Sequence, residues 1–186
     1  MIDLQSFCGD DTTREFLSAP FRAGGFVYAS NGHIIVRVAD RAGVADLRAD
    51  IAAWFKAGAP LAVFHADARF APPPLGALDR LPRFDKIACI LCQGERLVDG
   101  RECFVCDGYG FDYRMASVSY AGVAFNARYM RLVLELPGAE LARPVVYEFG
   151  GHEVEALPFR FTGGIGALCS LRSPYDDHLG DLEAMA

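Results

Sequence analysis

The chain has 186 residues, 52% hydrophobic and 23% charged, enough apolar content for one ordinary core and too much for a disordered polymer. A formal charge of −6 disfavours a protein that coats nucleic acid through bulk positive charge and leaves room only for a local basic face. The longest candidate for a membrane span, Met115 to Ala127, is uncharged for only 13 residues, and Asp3, Asp10 and Asp11 stand where a secretory leader is basic and then apolar, so a cytoplasmic protein without membrane contact is expected.

Residues 20–38 place two β-rich runs on either side of Asn31-Gly32, a two-residue hairpin signal because both residue types tolerate positive φ. From Val44 to Ala57 the apolar residues Leu47, Ile51, Trp54 and Phe55 recur at helical spacing, with Asp46 as the expected cap and Gly58 as the stop. Leu61 to His65 reads as a short strand. Pro72-Pro73-Pro74 then marks a stiff, exposed connection.

Residues 87–112 read as an insertion within a single domain spanning residues 1–186. Four of the six cysteines form C-x2-C-x10-C-x2-C, as Cys89-Ile-Leu-Cys92-Gln-Gly94 and Cys103-Phe-Val-Cys106-Asp-Gly108-Tyr-Gly110. Two residues between thiolates let one turn aim both sulfurs at a single ion. A glycine two positions further on permits the left-handed backbone that turns amide N–H groups toward the sulfurs. Four thiolates close a tetrahedral shell and leave no place for water, so Cys89, Cys92, Cys103 and Cys106 are expected to bind one structural Zn2+. The alternative, two disulfides, needs an oxidising compartment. The polar stretch Gln93 to Glu102, with Gly94, Asp99 and Gly100, is expected to form a short hairpin between the knuckles, flanked by strands over Lys86 to Leu91 and Cys103 to Ser119. Cys8 and Cys169 read as packing thiols.

A second helix is expected over Ala127 to Leu136, capped by Asn126, stopped by Pro137-Gly138, and apolar along Tyr129, Leu132, Val133 and Leu136. Three strands follow, over Arg143 to Phe149, Glu155 to Phe161 and Gly166 to Leu171, and the acidic tail from Ser173 is expected to fray. Pro20-Phe-Arg-Ala-Gly-Gly25 recurs as Pro158-Phe-Arg-Phe-Thr-Gly-Gly164, which suggests two related β-rich halves.

The knuckles resemble the C-x-x-C-x-G-x-G repeats of the DnaJ-type cysteine-rich domain. The second matches throughout, and the first departs at Arg96, where the last glycine would stand. That resemblance implies a zinc module. Phe26-Val-Tyr-Ala-Ser-Asn-Gly-His33 and Val123-Ala-Phe-Asn-Ala-Arg-Tyr-Met-Arg-Leu-Val-Leu134 are similar to the hairpin and helix-opening patterns of DNA sliding-clamp domains. This second resemblance implies two β-α-β-β-β units forming a curved antiparallel sheet, with both helices on one side. The fold class expected is therefore α+β, two such units with two helices and a small zinc-knuckle hairpin.

None of His33, His65, His152 and His178 is spaced with another histidine or an acid in a hydrolase or zincin pattern, and on a strand Glu153 and Glu155 face away from His152. No catalytic residue is assigned, and a non-enzymatic docking or scaffolding protein is expected. Its partner would be a protein contacting the knuckle tips Ile90, Leu91, Phe104 and Val105, with DNA contact limited to residues such as Arg128 and Arg131 on the second helix, and a homo-oligomer is compatible with the clamp resemblance. Two rival readings are a co-chaperone-like peptide binder, which the DnaJ-type knuckles imply, and an enzyme whose site converges only in three dimensions around His33, His65 or His152.

Overall fold

A computed structural model of the chain describes residues 2–9, 14–49, 51, 61, 65, 67–81, 88–89, 91–103, 106, 110, 117–149, 152–171 and 180–181. The main sheet is built from β1 (Phe21–Ala23), β2 (Phe26–Ser30), β3 (Ile34–Ala39), β8 (Glu140–Leu141), β9 (Val145–Phe149), β10 (His152–Phe161) and β11 (Gly164–Cys169). Its order is β1-β2-β3-β11-β10-β8, with β9 also on β10, and every pairing in it is antiparallel. A hairpin of β4 (Leu97–Val98) and β5 (Arg101–Glu102) stands apart, and β6 (Ser117–Tyr120) and β7 (Val123–Asn126) form a third unit joined by β12 (Gly180–Asp181). The described helices of four or more residues are α1 (Ala77–Arg80) and α2 (Ala127–Leu134). The molecule is α+β, with a largely antiparallel sheet, as expected.

The N-terminal and C-terminal hairpins meet at β3 and β11, in register from Ile34↔Leu168 to Val38↔Gly164. Strand alternation then divides the sheet's side chains between two cores. Val27, Ile34, Val36, Leu157, Phe159 and Leu168 face a core completed by Met130 and Val133 of α2, Val118, Phe125 and the N-terminal Leu4 and Phe7. Tyr28, Ala156 and Ala167 face the other, with Leu17, Phe21, Leu47 and Leu61. Helical Ile51 packs on this second face, so it and α2 lie on opposite sides of the sheet, where the clamp resemblance implies one side.

Several expected elements shift for identifiable reasons. In the Asn31-Gly32 turn Gly32 alone takes positive φ (+88°). Asn31 contributes through its side chain, whose Oδ1 accepts from the His33 and Ile34 amides at 2.9 and 3.1 Å. The first helix begins no earlier than Ala49. Asp46 bridges the backbone of Arg22, and its carboxylate lies 3.4 Å from that guanidinium. Leu61 and His65, read as strand ends, are helical, because a short apolar run fits a buried helix as well as a strand. Trp54 and Phe55 lie outside the described residues. Helix α2 keeps its predicted cap, Asn126 Oδ1 accepting from the Arg128 amide at 2.9 Å; on the expected face Val133 and Leu136 are buried and Tyr129 and Leu132 half-buried, and Ala127 and Met130 complete the buried stripe. Gly180 and Asp181, in the tail expected to fray, pair in parallel with Val118 and Ser119. Both copies of the internal repeat open tight hairpins, with turns at Gly24-Gly25 and Thr162-Gly163.

Candidate metal centre

Local backbone chemistry assembles the cysteine module. The Gln93 amide donates to the Cys89 carbonyl at 2.7 Å and the Glu95 amide to the Cys92 carbonyl at 2.8 Å, curling the first knuckle. Gly94 adopts φ +97°, the left-handed conformation its place in the motif predicts. Arg96 also sits at φ +68°, so the backbone keeps the glycine-like conformation at the position where the sequence departs from the repeat, against the ordinary preference of an L-residue. The matching position of the second knuckle, Gly110, has φ +79°. Asp99 and Gly100, both at positive φ, turn β4 into β5 as a two-residue hairpin carrying the chain from one knuckle to the other.

The two knuckles clasp each other reciprocally. The Cys89 amide donates to the Gly110 carbonyl at 2.9 Å, and the Cys103 amide donates to the Arg96 carbonyl at the same distance. Equivalent residues are thereby exchanged about an approximate twofold, and equivalent sulfurs meet across it. Cys89 Sγ is 3.7 Å from Cys103 Sγ, Cys92 Sγ is 3.6 Å from Cys106 Sγ, and all four sulfurs lie within 4.8 Å of one another. A tetrahedral ion with metal–sulfur bonds of about 2.3 Å needs sulfurs about 3.8 Å apart. A disulfide needs about 2.05 Å. The donor set therefore fits one ion, and the four cysteines are free.

Electrostatics favour the same occupant. The amides of Cys92 and Leu91 donate to the Cys89 sulfur and bring its pKa down to about 7. Desolvation pushes Cys106 up to about 12, although the Gly110 amide donates to its sulfur at 3.2 Å. Four sulfurs this close cannot all carry negative charge unless a cation lies among them. Gly108, the predicted turn residue of the second knuckle, lies outside the described residues. Gly110 and Arg96 are the supporting positions that the cysteine spacing alone did not single out, although the repeat pattern marks both places.

Among the described residues, His33 and His65 have separate surroundings, and His178 lies outside the described residues. His33 stacks on Tyr129 with ring centroids 5.9 Å apart, and burial together with Arg14 lowers its pKa. His65 stacks on Phe70 at 5.1 Å and its Nε2 lies 3.0 Å from the Gly166 carbonyl oxygen, with its pKa lowered mainly by burial. The side chain of His152 lies outside the described residues. Cys8 is pushed up to about 11 by burial, and burial raises Cys169 as well, which suits inert packing thiols. A cleft of about 440 Å³ beside the end of α2, walled by Phe7, Leu132, Leu136 and Arg41, contains none of the predicted site residues.

Fold and site together define an α+β protein with a buried four-cysteine centre able to hold one metal ion. Comparison with known proteins finds no matching family model, no matching curated protein and no matching solved structure. Among the described residues no helix is long and apolar enough to cross a membrane.

Proposed function

We propose that Cys89, Cys92, Cys103 and Cys106 hold one structural Zn2+ and that the module so rigidified docks a partner protein. The observation that carries the metal reading is the approach of four buried, unbridged sulfurs to within 4.8 Å of one another, with two of the separations, 3.6 and 3.7 Å, close to the edge length of a tetrahedral thiolate shell. Four protein ligands fill such a shell, so the ion supplies folding energy and no bound water for chemistry. Docking is supported by Leu91 and Leu97, 41% and 51% exposed on the module's surface, where a purely internal brace would have polar residues. Ile90, Phe104 and Val105 lie outside the described residues. A protein partner is favoured over DNA because Arg131 of α2 donates to the Leu81 carbonyl at 3.4 Å, which leaves Arg128 as that helix's exposed arginine.

Native mass spectrometry with elemental analysis tests the metal. The expected result is one zinc per chain, lost on acidification as protons take the thiolates. Metal-free protein after purification under reducing, chelator-free conditions defeats the proposal, and iron in place of zinc defeats its choice of ion.

A further inference from the structure

The cysteine module has an inside and an outside. Cys89 and Cys103 are fully buried, whereas Cys92 and Cys106 retain 5% and 6% exposure. Each layer is one cross-knuckle pair, 3.7 Å apart within and 3.6 Å without. From these facts we propose that the module is a site of reversible oxidation by hydrogen peroxide, which converts Cys92 with Cys106, and then Cys89 with Cys103, into two disulfides that link the knuckles and expel the ion. The inference rests on the zinc reading for its reduced state.

Each new bond requires its two sulfurs to close from under 4 Å to about 2.05 Å, a shift of less than about 1 Å apiece. The outer pair reacts first because peroxide reaches it. With two thiolates removed the shell is open and the ion leaves. The step balances. Four thiolates lose four electrons as two S–S bonds form, and two peroxide molecules accept them as their O–O bonds break, giving four hydroxide ions and free Zn2+. Each disulfide spans the same stretch between the knuckles that the ion spanned. The oxidised module therefore stays closed, and the reciprocal bonds Cys89 to Gly110 and Cys103 to Arg96 persist. Disulfides within a C-x-x-C pair would instead leave no sulfur link across the knuckles once the ion had gone, only the β4–β5 hairpin and the reciprocal backbone bonds.

Proteolysis distinguishes the two pairings. Trypsin cuts after Lys86, Arg96, Arg101 and Arg114, so each knuckle falls in its own peptide, 87–96 and 102–114. The zinc-loaded full chain is treated with about two equivalents of peroxide. Released zinc is read with a metallochromic dye, and non-reduced digests are read by mass spectrometry. The expected result is zinc release matched by one joined species containing both peptides, with Cys92–Cys106 the first link to appear, and a return to the zinc form on adding a phosphine reductant and Zn2+. Two separate peptides, each carrying its own internal disulfide, overturn the proposal while leaving the zinc reading intact, as does sulfinic or sulfonic acid without any disulfide. In a time course of the same digests, a Cys89–Cys103 link that appears before the Cys92–Cys106 link overturns the assigned order. Protein that carries no zinc yet yields the joined species overturns the metal reading and supports the pairing.

Discussion

At Arg96 and Gly110 the same backbone shape is met by two different residues, and the pair shows what the knuckle requires. Both positions are left-handed and both offer a carbonyl to the first cysteine of the opposite knuckle. A Cβ at Gly110 would sit 2.8 Å from the Gly94 carbonyl oxygen and 3.0 Å from Arg96 Cγ. Gly110→Ala therefore meets both backbone strain and a clash, and should cost about 2–4 kcal/mol of module stability with a ten- to hundred-fold loss of zinc affinity, measured by competition with a chelating dye. Gly163→Ala is the control: φ is +90° there, with nothing within 4 Å of the added carbon, so it should show the strain alone, about 1 kcal/mol, and leave zinc affinity unchanged. Arg96→Gly should stabilise the module by about 0.5–1 kcal/mol in the same assay.

Among the elements, α2 shows how far periodicity alone can go. Its cap, start and amphipathic character were legible because Asn126 has the side chain a helix N-terminus needs and because the apolar residues recur at helical spacing. The orientation was legible in part: Val133 and Leu136 are buried as expected, while Ala127 and Met130 complete the buried stripe that meets β6 and β7. Met130→Ala should thus cost about 2–5 kcal/mol in urea denaturation, Asn126→Ala about 1 kcal/mol, and Arg128→Ala within about 0.5 kcal/mol of zero. Near-equal effects of Met130→Ala and Arg128→Ala would contradict the assigned face. The hairpins were legible for a related reason: Gly24-Gly25, Asn31-Gly32 and Asp99-Gly100 carry their turn chemistry locally. Leu61 to His65 had no such local signature. Leu61 and His65 are helical, and Leu61 is buried in the same core cluster as Phe21 and Tyr28, residues from a distant part of the chain.

For the molecule as a whole, the decisive fact is that the cysteine module has a core of its own. The four cysteines pack with Val98, and among the described residues this cluster shares no member with either core of the main sheet. The site was readable from spacing because its ligands and turns are contiguous, whereas the sheet's strand order was not, because β3 and β11 are paired across more than a hundred residues. Chelation should therefore abolish hydrogen-exchange protection in residues 91–103 while the amides of β2, β3, β10 and β11 keep theirs. Loss of protection in both regions together would show that module and sheet unfold as one.

The β3–β11 junction also sets the order in which the protein can be made. Ile34 to Val38 reach the ribosome's exit long before Gly164 to Leu168, so during synthesis the first hairpin waits with one side of β3 unmatched. The cysteine module, with its four thiols and its clasp contained in the 22 residues from Cys89 to Gly110, can close during that interval. Completion of the sheet is the slow, late event, and a chain halted before Gly164 would display an adhesive strand edge after the four-cysteine module had closed.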